Sequence, residues 1–289
     1  MNIILFSRKQ VIHRPEQLSK MLNALTRLDV DYTINEDFAQ DIEQLLHTTI
    51  DASHRFVGTI EAKGDDVVVT FGGDGTLLEA VGLLPNYNIP VVGVNCGRLG
   101  YLTVDDGSGV EELMERIVQR QLPTEQRDML SVEGDIDCNA KCLALNEVAI
   151  HRHDATMITI EAFVNGNAVA KYHGDGLVIS TPTGSTAYAL SAGGPILDPT
   201  CRCFILAPLA PHNLTMRPIV VPNDNTITLK LSSRGGEAFL SADNRTYTLH
   251  DGASITLRLA HERLILATPH NNTFYDTLRE KMMWGVDNR

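Results

Sequence analysis

In the first third of the chain, short apolar runs alternate with segments in which apolar residues recur every three or four positions. Residues 2–6 form a run that predicts a buried strand. Pro15 then opens a helix with Leu18, Met21, Leu22 and Leu25 on one face. Residues 31–35 predict a short strand and 37–50 a second helix. Residues 67–71 are strand formers that end in Gly72-Gly73-Asp74-Gly75; residues 76–84 read as a helix. Residues 89–95 predict another apolar strand, followed by Gly97 and Gly100, and 110–120 an amphipathic helix. This strand–helix rhythm predicts a parallel sheet covered by helices.

Past Pro123 the rhythm changes to many short strands: 130–136, 142–152, 157–164, 168–172, 177–180, 203–207, 226–231, 237–241, 254–258 and 264–267. Asn165-Gly166, between two of them, is a strong hairpin signal. Such a series predicts a sandwich-like all-β domain. Residues 273–284 return to helical spacing. The expected organisation is therefore an α/β N-terminal domain with a parallel sheet (1–122) and a β-rich, sandwich-like C-terminal domain (123–272). The terminal segment 273–289 is expected to pack back on the first domain.

Composition narrows the function classes. The chain has 289 residues, room for two domains, and 43% are apolar, enough for real cores. Lys plus Arg number 24 against 36 Asp plus Glu, a net charge of −12. That balance argues against nucleic acid as a partner, because phosphate neutralisation needs clustered Lys and Arg. It leaves room for one small anionic ligand held by backbone N–H groups. No apolar run reaches the ~18 residues of a membrane span, and the opening MNIILFSRKQ is too short for a signal-peptide core. Five cysteines, an odd number, fit reduced thiols better than a disulfide frame. The expectation is a cytoplasmic protein with no membrane partner. Cys138 and Cys142 are four apart and Cys201 and Cys203 two apart, but no CxxC occurs, so a structural zinc site is not expected.

Three motifs carry candidate chemistry. Gly72-Gly73-Asp74-Gly75-Thr76 lies at a strand end and before a helix. Glycines there let backbone approach a ligand, and the helix start presents N–H groups to a phosphate. The plainer reading of Asp74 is a helix cap. No Gly-Lys-Ser/Thr follows, so this is not a Walker A loop, and it is not GxGxxG. Asn146-Glu147 stands inside an apolar segment, where each polar group costs free energy unless satisfied. Ligand hydroxyls would satisfy them; so would water at a sheet edge. The third motif, GDGLVISTPTGSTAYALSAGGP over residues 174–195, concentrates short hydroxyls, tight turns and close-approach positions. Tyr188 within it could stack on a base or pack in a core. Ser185 is not in GxSxG, so a hydrolase elbow is not indicated.

Taken in order, the three motifs resemble the NAD kinase (ATP-NAD kinase) family over nearly the whole chain, as far as Ser241-Ala242-Asp243-Asn244. GGDG alone is shared with other kinases; the Asn-Glu pair with GDGLVISTPTGSTAY is far more restrictive. The resemblance implies phosphoryl transfer from ATP or another donor to the 2′-hydroxyl of the adenosine ribose of NAD, giving NADP, and a homo-oligomer, dimer or tetramer. It implies Asp74 as the catalytic residue, beside Gly75, near the reacting phosphate and ribose. Asn146 and Glu147 would hold ribose and adenine-side groups, and Asp175 the nicotinamide side. Thr183, Thr186, Ala187, Tyr188, Ala189, Leu190 and Ser191 would line the dinucleotide pocket, with Ala210 and Asn244 beside it. His173 falls where the family often carries a longer basic residue, which weakens a charged contact there near pH 7.

Without a P-loop lysine, a divalent ion is implied as cofactor, with Mg²⁺ held mainly by nucleotide phosphates and water. Asp74 is either base or metal orienter. A lipid or sugar kinase with the same GGDG turn leaves the second and third motifs unexplained. A dinucleotide sensor without turnover does not need Asp74.

Overall fold

A computed structural model describes all residues except 10, 12, 85–86, 98–99, 104–108, 139–140, 269–272 and 284–289. The chain divides into two compact units, Met1–Gln126 with Leu264–Arg289, and Arg127–Arg263.

The first unit alternates β1 (Asn2–Phe6), α1 (Pro15–Arg27), β2 (Asp31–Asn35), α2 (Glu36–Leu46), β3 (Arg55–Phe56), β4 (Val67–Phe71), α3 (Asp74–Gly82), β5 (Pro90–Val94) and α4 (Val110–Val118). The strands pair in parallel in the order β3-β2-β1-β4-β5. Ile3, Leu5, Val69, Phe71, Val92 and Val94 are buried against Leu18, Met21 and Leu25 of α1 and Leu113, Met114 and Ile117 of α4. Strand order reverses between β1 and β4. In an open α/β sheet the crevice at the carboxyl ends of such a pair is where ligands bind. The GGDG turn leaves β4 at that point.

In the second unit the strands are β6 (Thr124–Gly134, from Arg127 on), β7 (Cys142–Ala144), β8 (Glu147–Arg152), β9 (Ile158–Val164), β10 (Asn167–Gly174), β11 (Gly176–Ser180), β12 (Cys203–Leu209), β13 (Ile219–Pro222), β14 (Ile227–Ser233), β15 (Glu237–Ala242), β16 (Arg245–His250) and β17 (Ser254–Ala267, as far as Arg263). An antiparallel sheet β13-β12-β11-β8-β15-β16 faces a second layer built on β10-β9-β14-β17. Leu177 and Ile179 of β11 enter the core between them with Ile160, Leu229 and Ile255. The opposite face of β11 is also covered. Val178 is buried with Ala149, Ile205, Ala207 and Ala189, the last from the short helix α5 (Tyr188–Ser191). The STPTGSTAY segment therefore folds back over its own strand.

The predicted strand 142–152 breaks at Leu145 and Asn146. The Asp243 carboxylate takes the N–H groups of Leu145, Asn146 and Glu147, which a ladder would otherwise use. The predicted strands 254–258 and 264–267 are two ends of one strand, β17. The helix predicted to begin at Thr76 begins at Asp74, after Gly73 as N-cap. The helix predicted over 37–50 ends at Leu46, where His47 turns left-handed (φ 50°). The terminal helix is α6 (Phe274–Met282); Trp284, predicted as its end, lies outside the described residues. No helix among the described residues is long and apolar enough to cross a membrane.

Candidate functional site

In the first unit the candidate chemistry gathers at the end of β4. Gly72 has φ 155°, and a Cβ there would lie 2.2 Å from Thr76 Oγ1, so only glycine lets the first turn of α3 fold this close. Asp74 is the first residue of α3, but its side chain does not cap that helix. Its Oδ2 accepts the Tyr101 N–H at 2.8 Å. Its Oδ1 accepts Leu102 N–H, Thr103 N–H and Thr103 Oγ1–H at 3.0, 3.0 and 2.9 Å. Asp74 is therefore not a helix cap; its carboxylate gathers the turn after β5 around itself. Gly100 makes room for it, since a Cβ there would lie 2.0 Å from Oδ1. A Cβ on Gly75 would lie 3.0 Å from Nη1 of Arg8, whose Nε pairs with Glu79 at 2.9 Å.

Behind this turn a buried polar network ties the ends of β1, β2 and β4 together. The Ser7 hydroxyl donates to the Phe71 carbonyl at 2.6 Å, and Ser7 and Asn35 exchange two hydrogen bonds at 2.9 Å. His13 Nε2 lies 3.1 Å from Ser7 Oγ and 3.6 Å from Asp41. The set looks like a nucleophilic triad, but Ser7 is fully buried and its proton is committed to a carbonyl. Burial pulls the His13 imidazole down to about 4, so it is neutral.

In the second unit the Asn-Glu pair sits at the bend that Asp243 makes. Asn146 is 7% exposed, and its carbonyl accepts Thr181 N–H at 2.9 Å and the Ser180 hydroxyl at 3.2 Å. Asn146 Oδ1 and Glu147 Oε2 are buried with no hydrogen-bond partner among the described residues. A water-facing edge pair is therefore excluded. Burial, and next the Asp243 carboxylate, push the Glu147 carboxyl up to about 8, against a Tyr188 N–H that pulls it down. Burial also raises the Asp243 carboxyl, opposed by its three backbone donors.

The remaining sequence candidates divide between the two ends of β11: residues 183–191 follow its end at Ser180, which pairs with Glu147, whereas His173 and Asp175 precede its start at Gly176, which pairs with His151. Thr183, in a 3₁₀ turn Thr183–Thr186, is buried and takes a long bond from Arg127 Nη1 at 3.4 Å. Thr186, Ala187 and Leu190 are half-buried, Tyr188 and Ser191 exposed, and Ala189 fully buried as a core residue. Burial raises the Tyr188 hydroxyl, and the charges of Asp175 and Glu147 add to it. Asp175 pairs with Arg152 Nε at 2.9 Å. Ala210 holds a left-handed φ of 40°, and its carbonyl and that of Leu209 lie where a Cβ on Gly174 would fall. Asn244 is exposed in the turn after Asp243, where the chain reverses between β15 and β16. His173 Nδ1 lies 2.9 Å from Thr159 Oγ1, and the ring lines a recess of about 380 Å³ with Ser232, Ser233, Arg234 and Asp251.

Two family models match the chain: the ATP-NAD kinase N-terminal domain over residues 3–122 and the ATP-NAD kinase C-terminal domain over residues 145–266. The chain belongs to the ATP-NAD kinase family. An NAD kinase of Porphyromonas gingivalis is 40% identical over 282 residues, covering 95% of this chain and 96% of its own. One from Christiangramia forsetii is 34% identical over 282 residues and 95% of each chain. Among solved structures, an Archaeoglobus fulgidus NAD kinase in complex with ATP is 26% identical with a TM-score of 0.76, covering 98% of this chain and 99% of its own. Yeast NADH kinase complexed with NADH shares the fold at a TM-score of 0.85 and 24% identity, covering 100% of this chain and 89% of its own. For this ATP-NAD kinase family member, sequence reasoning missed Asp243, which shapes the Asn-Glu bend, and Thr103, Arg8 and Lys281, which surround the GGDG turn. Only Asp243, inside the Ser-Ala-Asp-Asn segment, carried any local signal.

Proposed function

We propose that this chain phosphorylates NAD, transferring the terminal phosphoryl group of ATP or a related donor to the 2′-hydroxyl of the adenosine ribose and releasing NADP. The observation that carries this reading is the pair of buried, unpartnered acceptors, Asn146 Oδ1 and Glu147 Oε2, within a family that uses a dinucleotide. Buried polar atoms are ordinarily hydrogen-bonded, and ribose hydroxyls would supply the missing donors. Near pH 7 Glu147 is largely protonated, so it can also donate to an acceptor on the nucleotide.

A sugar hydroxyl attacks phosphorus only as its proton leaves. Asp74 is the group assigned to it. Four donors already hold its carboxylate, three of them on Oδ1, so Oδ2 is the atom through which Asp74 acts. The O2′–P bond forms as the bond from phosphorus to the leaving nucleotide oxygen breaks, with the N-terminus of α3 favouring the anion. Asp175 with Arg152, Thr183, Thr186, Tyr188, Ser191 and Asn244 are assigned to positioning the dinucleotide. His173, bonded to Thr159, is assigned to its phosphate side.

A divalent ion fits this arrangement as a partner of the nucleotide. Among the described residues no three His, Cys, Asp or Glu side chains converge as a cage, so the ion would be held by the donor phosphates and water, leaving Asp74 Oδ2 for the hydroxyl proton. Mg²⁺ bound there would neutralise donor phosphate charge. We further assign the protein to the cytoplasm, where its five cysteines, none of them in a disulfide, stay reduced, and to a homo-oligomer, a dimer or tetramer. Incubation with NAD, ATP and Mg²⁺ should yield NADP, read with an NADP-specific dehydrogenase. Saturable NAD binding without product would instead make the chain a sensor. Light scattering on the purified protein gives the assembly state.

A further inference from the structure

The GGDG turn lacks the lysine that a P-loop places against phosphate. The fold brings one there from the far end of the chain. Helix α6 opens with a reciprocal capping box between Thr273 and Asp276 and buries Thr277 and Leu278. Its Phe274 ring lies 6.5 Å from that of Tyr101. Lys281, one turn beyond Thr277 and Leu278, is carried on the same side. Its ammonium stands 4.3 Å from the centroid of the Tyr101 ring and 4.0 Å from Asp74 Oδ2.

Three features separate this lysine from an ordinary surface ion pair. First, 4.0 Å is outside hydrogen-bond range, and the ammonium donates no hydrogen bond among the described residues. Second, Asp74 does not need it, because four donors already fix that carboxylate. Third, the aromatic face holds the cation in place without consuming an N–H. Arg8, the other cation at the turn, is by contrast bound to Glu79 at 2.9 Å. Lys281 thus keeps its donors and its charge beside the atom assigned to act on the reacting hydroxyl.

We propose that Lys281 binds the terminal phosphate of the donor and offsets its charge during transfer, as a P-loop lysine does in other kinases. It gives and takes no proton: O2′–P forms, the bond from phosphorus to the leaving oxygen breaks, and the hydroxyl proton goes to Asp74. This inference rests on the kinase reading above.

The test compares parent, Lys281→Met and Lys281→Arg in the full-length protein. Met should weaken Mg-ATP binding by calorimetry about tenfold and lower kcat about 10²-fold, with NAD affinity and thermal midpoint near parent. Arg should recover kcat to within about tenfold of parent. The Met penalty on Mg-ATP binding should persist in an Asp74→Asn background. Unchanged Mg-ATP affinity in the Met variant overturns the proposal. So does a loss that tracks a falling thermal midpoint, that Arg does not restore, or that vanishes with Asp74→Asn. A parent protein that binds Mg-ATP but makes no NADP refutes the kinase reading instead, and the Mg-ATP affinities still decide the role of Lys281.

Discussion

Glu147 and Asp243 clasp each other through the backbone. Asp243 N–H donates to the Glu147 carbonyl at 3.0 Å, and Glu147 N–H donates back to Asp243 Oδ1 at 3.2 Å. The clasp closes the bend that buries Asn146, and it also sets two carboxylates side by side. Asp243→Asn keeps the volume but turns an N–H₂ toward one of the three backbone donors. Charged hydrogen bonds of this kind are worth about 1.5–3 kcal/mol each, so the thermal midpoint and NAD affinity should fall together. Loss of neither would mean that the bend holds without the carboxylate.

The raised Glu147 carboxyl makes stability depend on pH. The folded-state value, about 8, lies above the ordinary carboxylate value, so between the two the folded protein holds a proton that the unfolded chain has released. Stability should therefore fall as pH rises from about 4.5 through 8, and Glu147→Gln should flatten that decline. Near pH 7, Gln mimics the protonated acid and should leave NAD affinity within about threefold of parent, whereas Glu147→Ala should lower it about tenfold or more. Thermal scans across pH and calorimetry at pH 7 read both effects. An unaltered pH profile in the Gln variant removes Glu147 as its source.

His13 acts with the opposite sign. Its folded value, about 4, lies below the ordinary histidine value near 6.5, so between those the unfolded chain binds the extra proton. Stability should drop as pH falls from about 6.5 to 4. His13→Phe keeps the contact with Phe38, 4.8 Å away ring to ring, and abolishes the titration. The acid limb of its thermal-midpoint profile should be shallower than that of the parent.

Asp74→Asn should reduce kcat about 10²-fold or more, as expected for loss of a general base, while NAD binding persists. The substitution also weakens the turn at Tyr101, Leu102 and Thr103, so a control is needed. Thr103→Val removes the hydroxyl donor to Oδ1 and leaves the Thr103 N–H. It should lower the thermal midpoint with much less effect on kcat. If both variants lose kcat equally, Asp74 serves the turn rather than the reaction.

Gly184→Ala tests whether the Asn-Glu bend matters as geometry. A Cβ at Gly184 would stand 2.2 Å from the Asn146 carbonyl oxygen, a backbone atom that cannot yield cheaply. NAD affinity should fall although no hydrogen-bonding side chain is removed. An unaffected affinity would detach the position of Asn146 from dinucleotide binding.

The strand–helix rhythm of the first unit, the shift to period two in the second, and the motifs that mark the family are all legible along the chain. These are short-range properties. Apolar spacing encodes which face of an element is buried, and Asn165-Gly166 supplies the two positive φ angles, 51° and 78°, that its hairpin turn requires. What the marked residues touch is set by the packing of distant segments. Asp74 meets its donors 27–29 positions away, and the bend at Asn146 is held from 97 positions away. The cation beside the GGDG turn arrives on the last described helix. Such contacts leave no local pattern, because a carboxylate or an ammonium looks the same in sequence whether it faces water or a buried N–H. Its partner is chosen by how sheets and helices pack, which is a property of the whole unit.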